Sequence, residues 1–348
     1  MKRVSYPALL LLCLFIPAYG QVPQVQTKRV AEGVYAVQPA PERRFDESNA
    51  TVILLDDGVM VVDTQNSPVG ARAVLAEIKK LTDKPVRYVV NTHWHGDHVQ
   101  GNRVYREAFP EVRIISQITV REDIEKRAIP ALKEDLDTIP KNIARWQAMV
   151  DTGKQPNGQP VTEAQKEQLR GRIERAKANL AQLQTVGEFA LPDLTFGESL
   201  TIYRRAGEIR LQHFAGHTRG DLVVYLPKEK VLVTGDLLDD LPFTGHGSPA
   251  ALVETLDAFG KMDWNAMIPG HGSVRESKEH LAQVRALFAS IVAQAQESAK
   301  AGLSEEDAVK KANLDQFEKY FVVDDVSRRY WGFFMVEGLK KAYQEAKK

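Results

Sequence analysis

Cysteine is almost absent: Cys13 is the only one in 348 residues. It lies inside the apolar run 8–16, so nothing after that run can form a disulfide or supply a thiolate. Cys-built zinc and iron–sulfur sites are thereby excluded. Charge of one sign is also missing, because 46 Lys+Arg offset 46 Asp+Glu. Without a basic excess or stripe there is little to engage a phosphate backbone, and no nucleic-acid partner is expected. Long hydrophobic runs are lacking too. No stretch after residue 16 approaches the ~20 apolar residues of a membrane span, so no stable membrane insertion is expected once the first segment is removed. The remaining composition, 43% hydrophobic and 26% charged, is that of a globular chain rather than a disordered, collagen-like or coiled-coil one. Its length fits about two domains, or one large α/β domain with insertions.

The first twenty residues read as an address. Lys2 and Arg3 form a basic end, ALLLLCLFI follows at 8–16, and Ala18-Tyr19-Gly20 places small residues three and one positions before Gln21. This is the layout of a cleaved secretory signal peptide, which implies a periplasmic or secreted protein. Leu12, not a small residue, precedes Cys13, which argues against a lipoprotein.

Short β-branched runs at 33–38, 50–56 and 59–63, the last two separated by Asp57-Gly58, predict strands and a hairpin. A helical pattern at 69–81 and further strands at 86–91 and 112–116 predict layered α/β packing. Residues 117–186 differ. They are charged and helix-favouring, broken by a Gly/Pro loop at 153–160, and Thr162 with Gln165 gives a capping-box start to the second arm. A helical hairpin inserted into the α/β body is expected, as a solvated appendage, a lid or a homodimer arm. Strands resume over 195–234, with a helix at 249–260, a strand at 266–268 and a helix at 277–299. The division is therefore 1–20 signal peptide, 21–300 α/β domain and 301–348 helical extension. The aromatic cluster Phe317, Tyr320, Phe321, Tyr330, Trp331, Phe333 and Phe334 most simply packs the C-terminal helices.

Five of the eight histidines fall in chemistry-bearing motifs. Asn91-Thr-His93-Trp-His95-Gly-Asp97-His98 places four ligand-type side chains in six positions. In an extended segment His93, His95 and Asp97 face one way, and Gly96 lets the chain bend so that His98 swings inward. Buried unpaired imidazoles and carboxylates are costly, and a divalent cation removes that cost. Gly216-His217-Thr218, Gly235-Asp236 and Pro269-Gly270-His271-Gly272 each set a His or Asp in a loop at a strand end, where α/β layers hold active sites. His213 is read as a strand residue and His280 as a surface helix residue. His246, in a Gly-rich loop after Asp236, is a candidate to face substrate.

This motif series resembles that of the metallo-β-lactamase fold superfamily, in order from about residue 30 to 275 apart from the 117–186 insertion, with Asp63 matching the first, supporting motif. The resemblance implies an α/β fold of the αββα sandwich type with a helical insertion and a C-terminal helical extension, and two metal ions at one edge. The first ion would be held by His93, His95 and His217, the second by Asp97, His98 and His271, with Asp236 bridging. Two Zn2+ suit such all-N/O ligation, and iron or manganese also fit. A bridging Asp236 is usual in branches resembling glyoxalase II, whereas lactamase branches commonly carry Cys or Ser. Leu237, Leu238, Asp239 and Asp240 stand where some lactamases have a substrate-binding lysine. Both departures weigh against a dedicated β-lactamase.

The expected activity is metal-dependent hydrolysis of a small-molecule ester, lactone, thioester or lactam. Two divalent cations ~3.5–4 Å apart lower the pKa of a shared water to about 7, and the hydroxide attacks a carbonyl carbon. Asp97 is expected to orient it and shuttle its proton. Asp63, Thr218 and Asp221 are candidates to hydrogen-bond the ligand imidazoles from behind. Two other readings remain: an iron-dependent sulfur or oxygen redox enzyme of the same fold, and a metal-containing binding protein without catalysis.

Overall fold

The computed structural model describes residues 24–348; the segment read as a signal peptide, 1–20, lies outside the described residues. Among the described residues, two sheets are built in chain order. The first holds β1 (Val25–Ala31), β2 (Val34–Pro39), β3 (Ala50–Leu54), β4 (Val59–Val62), β5 (Val86–Val90), β6 (Arg113–Gln117) and β7 (Leu194–Phe196), adjacent in that order. β1 to β4 pair antiparallel, and β4 to β7 are parallel. The second sheet runs β12-β11-β10-β9-β8, from β8 (Ser199–Arg204), β9 (Gly207–His213), β10 (Leu222–Leu226), β11 (Val231–Gly235) and β12 (Ala266–Pro269), parallel only between β11 and β12.

Side-chain alternation along the strands creates four layers. Met60 and Val62 of β4 and Leu222, Val224 and Leu226 of β10 meet in the core between the sheets. Val59 and Val61, one step out of phase, pack outward with Ala71, Val74 and Ile78 of α1 (Pro68–Leu81). Helices α2 (Gly96–Val99) and α3 (Asn102–Ala108) follow β5, and Val104 and Tyr105 of α3 join that outer layer.

The insertion is helical as expected. After β6 come α4 (Ile118–Asp123), a short π turn, α5 (Ile129–Thr152) and α6 (Glu163–Leu183). Gly153 ends α5 in the left-handed region at φ 66°, and Thr162 caps α6 reciprocally with Gln165.

On the far side, Val223, Tyr225 and Leu232 pack against Leu252, Leu256 and Phe259 of α7 (Pro249–Lys261) and Val284, Leu287, Phe288 and Ile291 of α8 (Glu279–Lys300). This is the αββα sandwich. The C-terminal helices α9 (Glu305–Lys311), α10 (Asp315–Phe321) and α11 (Asp325–Ala346) continue the same core through Phe317, Phe321, Met335, Leu339 and Tyr343. Strand β1 was not anticipated: its sequence VQTKRVA alternates on a half-exposed edge, with two cations diluting the apolar signal. No described helix is long and apolar enough to cross a membrane.

Candidate metal centre

Five loops deliver the candidate residues to one edge of the sandwich. Asp63 follows β4, the His93–His98 segment follows β5, His217 lies between β9 and β10, Asp236 follows β11, and His271 follows β12. β4, β5, β11 and β12 end there, as expected for sites at the carboxyl ends of parallel strands. Two glycines permit the crowding. Gly235 adopts φ 51°, and a Cβ on Gly270 would stand 2.0 Å from Asp236 Oδ1.

The seven expected ligands come together as two groups. Donor atoms of His93, His95, His217 and Asp236 lie within 4.8 Å of one another, as do those of Asp97, His98 and His271. Asp236 faces both. Its Oδ2 is 3.4 Å from His217 Nε2 and 3.6 Å from His93 Nε2, and its Oδ1 is 3.2 Å from His98 Nε2. His271 Nε2 lies 2.9 Å from Asp97 Oδ2.

Each imidazole is gripped by the nitrogen that points away from the cluster. His98 Nδ1 is 2.8 Å from Asp63 Oδ2, whose carboxylate also accepts from the Thr92 N–H and hydroxyl. His217 Nδ1 donates to the Phe243 carbonyl (2.6 Å) and His271 Nδ1 to the Arg44 carbonyl (2.9 Å). His93 Nδ1 meets Thr92 Oγ1 at 3.1 Å, and His95 Nε2 meets His246 Nδ1 at 2.8 Å. Such contacts fix the tautomer and angle of metal-binding imidazoles.

Asp63 thus stands behind an imidazole as expected, but Thr218 and Asp221 do not. The Asp221 carboxylate accepts from the backbone N–H groups of His217 and Thr218 and from the Thr218 hydroxyl. That closes the loop carrying His217 and never reaches its ring, because the turn points the carboxylate at its own backbone. His280, expected at the surface, is buried, since its Nε2 hydrogen-bonds the Asp239 carbonyl (2.7 Å) beneath the site. His213 ends β9 as expected. His246 touches His95 and also lines the cavity.

Protonation follows burial and neighbours. Burial and the surrounding imidazoles hold His93 and His95 well below the ordinary histidine range, hence neutral and fit to ligate. Burial opposes charge on His98 and His271 as well, but Asp236 and the other carboxylates overcome it. They lift His98 well above its usual value and His271 to about 10. Burial would raise Asp97 and Asp236, yet the facing imidazoles, His98 first, hold both below the usual carboxylate range. The carboxylates therefore demand positive charge at this spot.

The donor set fits metal ions on that ground and on a second. The Nε2 of His93 and Oδ1 of Asp236 are buried with no hydrogen-bond partner. Inward donors left unpaired beside outward nitrogens that are all held are what a cation would satisfy.

The cluster floors a cavity of about 690 Å³. Its walls carry Phe45, Trp94, Leu241, Phe243, Phe333 and Phe334, with Asp239, His246 and Glu337 among the polar groups, and no Lys or Arg is among its lining residues. The aromatic wall and Asp239 were not found from sequence. Phe333 and Phe334 reach the site from α11, far along the chain, so the C-terminal cluster both packs the helices and lines the cavity.

Residues 43–271 match the family model described as the metallo-beta-lactamase superfamily. The chain belongs to this superfamily. It is 24% identical over 276 residues to a linear primary-alkylsulfatase from Pseudomonas sp., covering 74% of this chain and 48% of that protein. Against an (R)-specific secondary-alkylsulfatase from Pseudomonas sp. the figures are 27% over 216 residues, 61% and 31%. The chain thus spans about half or less of the length of these relatives. Among solved structures, the stereoselective inverting sec-alkylsulfatase Pisa1 from Pseudomonas sp. shares the fold at TM-score 0.63 and 17% identity, over 92% of this chain and 50% of that one. A metallo-beta-lactamase from Pontibacter korlensis does so at TM-score 0.52 and 16% identity, over 76% and 99%.

Proposed function

We propose that the protein is an exported metal-dependent hydrolase acting on small carboxylic esters or lactones that carry an apolar group. One observation carries this reading: two converging donor groups floor a cavity whose walls are aromatic and free of Lys and Arg. Apolar walls favour an alkyl or aryl group, and the lack of side-chain cations favours an uncharged acyl group over an anionic one. Export is supported by the layout of residues 1–20.

His93, His95, His217 and Asp236 would hold one ion, and Asp97, His98, His271 and Asp236 the other; zinc suits the nitrogen-rich first group. Such a pair, when bound, supplies Lewis acidity towards a substrate oxygen and activates water at neutral pH. The protein's own contribution is orientation. Asp97 is the expected ligand most open to the cavity among the carboxylates, with a side chain 25% exposed against 7% for Asp236. Held as a carboxylate by His98 and His271, which face its Oδ2, it is the group to orient the attacking water and take its proton. Phe243, Phe333 and Phe334 seat the apolar group and exclude bulk water.

A second reading, hydrolysis of alkyl sulfates, is favoured by the activities named for the two relatives. A sulfate would then depend on the metal ions for its counter-charge. For the helical insertion, α5 and α6, we propose a second copy of the chain as partner. Light scattering would read twice the chain mass if so and the single mass if not.

The deciding experiment is a substrate panel on zinc-loaded protein recovered from the exported fraction, where Gln21 is the expected first residue. Turnover of carboxylic esters or lactones, lost in both His95→Ala and Asp97→Ala, is the expected result. Faster turnover of alkyl sulfates would replace the first reading with the second. No turnover of any class with metal bound would overturn both.

A further inference from the structure

We propose that Asp239 is an additional metal ligand, and that it makes the second metal position richer in oxygen than the first. The inference rests on reading the cluster as a metal centre. Asp239 lies three residues after Asp236, beyond the short turn Asp236–Leu238, and only 3% of it is exposed. It lines the same cavity as the expected ligands. One of its carboxylate oxygens lies within 4.8 Å of donor atoms on both Asp236 and His271, the same span that gathers Asp97, His98 and His271. Within it, Asp236 Oδ2 lies 3.6 Å from His271 Nε2. A cation about 2.0–2.2 Å from each donor holds opposed donors at most ~4.4 Å apart, so small side-chain shifts close the site.

The carboxylate also has a structural task. Its Oδ1 accepts the backbone N–H of His271 at 2.8 Å, clasping the two ligand-bearing loops together. That bond engages one oxygen of Asp239 and leaves the group buried beside Asp236 and His271. A cation shared by the three would offset the cost of a carboxylate buried there.

With Asp239 included, the two positions differ in chemistry. The first has three imidazoles and a share of Asp236. The second has His98 and His271 with Asp97, Asp239 and the other share of Asp236. Imidazole-rich sites suit zinc in four-coordinate geometry, whereas carboxylate-rich sites of five or six donors suit harder ions such as Mn2+ or Fe2+. The centre should therefore bind its two ions with unequal preference.

The test compares wild type with Asp239→Asn by chelator-competition titration with Zn2+ and Mn2+ and by visible absorption after Co2+ loading. Asparagine keeps a carbonyl oxygen for the His271 N–H, so the clasp survives while the charge is lost. Two equivalents are expected in wild type, and in Asp239→Asn the second-site Mn2+ affinity should fall at least about tenfold with the first site unchanged. Wild type alone gives a further readout. The first cobalt equivalent should absorb strongly, as a four-coordinate ion does, and the second weakly, as a five- or six-coordinate one does. Two equally strong bands, or metal affinities and spectra that Asp239→Asn leaves unchanged, would reduce Asp239 to a clasp and overturn the inference. Wild type that binds no metal would overturn the metal centre itself, a distinguishable failure.

Discussion

At the scale of single residues, the site depends on which nitrogen of each imidazole is free. Five rings are held from behind by five different partners, and only one, Asp63, is a carboxylate. Its two oxygens accept from Thr92 and face His98 Nδ1, so with an ion bound His98 would keep its proton on Nδ1 and present Nε2 to the cluster. In Asp63→Asn the new amide donors would face Nδ1 and push the proton to Nε2, the wrong tautomer for ligation. The backbone should tolerate the change, because residue 63 sits at φ 63°, a region Asn adopts as readily as Asp. We expect Asp63→Asn to fold and to lose about 10–100-fold in metal affinity, read by chelator competition. Wild-type affinity in this variant would show that Asp63 serves only the turn after β4.

At the scale of elements, α11 separates two roles along one helix. Met335, Leu339, Ala342 and Tyr343 are buried in the core shared with α7 and α8. Phe333 is 59% exposed, stacks at 6.0 Å on Phe243 and lines the cavity. Leu339→Ala should therefore cost about 2–5 kcal/mol in thermal or denaturant unfolding, with unchanged kcat/KM per folded molecule. Phe333→Ala should cost under about 0.5 kcal/mol. On the proposed function it should raise KM for esters with long apolar groups while leaving short polar ones and kcat unchanged. Equal effects on short and long substrates would remove α11 from the binding surface. The insertion is legible for the opposite reason, since a capping box and a Gly-terminated helix are local signals written within a few residues.

At the scale of the whole molecule, what sequence could and could not reveal divides by range. Spacing within 91–98 and loops at strand ends announce a ligand set, because chemistry that costly needs a shared cation to justify it. The aromatic wall gives no such signal: Phe45, Trp94, Phe243 and Phe334 are spread over most of the chain, and each alone reads as core. Asp239 was equally silent, since an Asp after a turn needs no explanation until its burial is known. The same long range makes the metal a matter of stability as well as chemistry. The donors come from residues 93–98, 217, 236 and 271, which the unfolded chain cannot hold together, so ions bind the native state preferentially. An ion at 100 times its dissociation constant adds about 2.7 kcal/mol. Thermal unfolding with and without a strong chelator should show a lower Tm after chelation, restored by added Zn2+. An identical Tm in both states would mean that these loops are held by packing and hydrogen bonds alone. The crowded carboxylates and imidazoles would then need no cation to coexist.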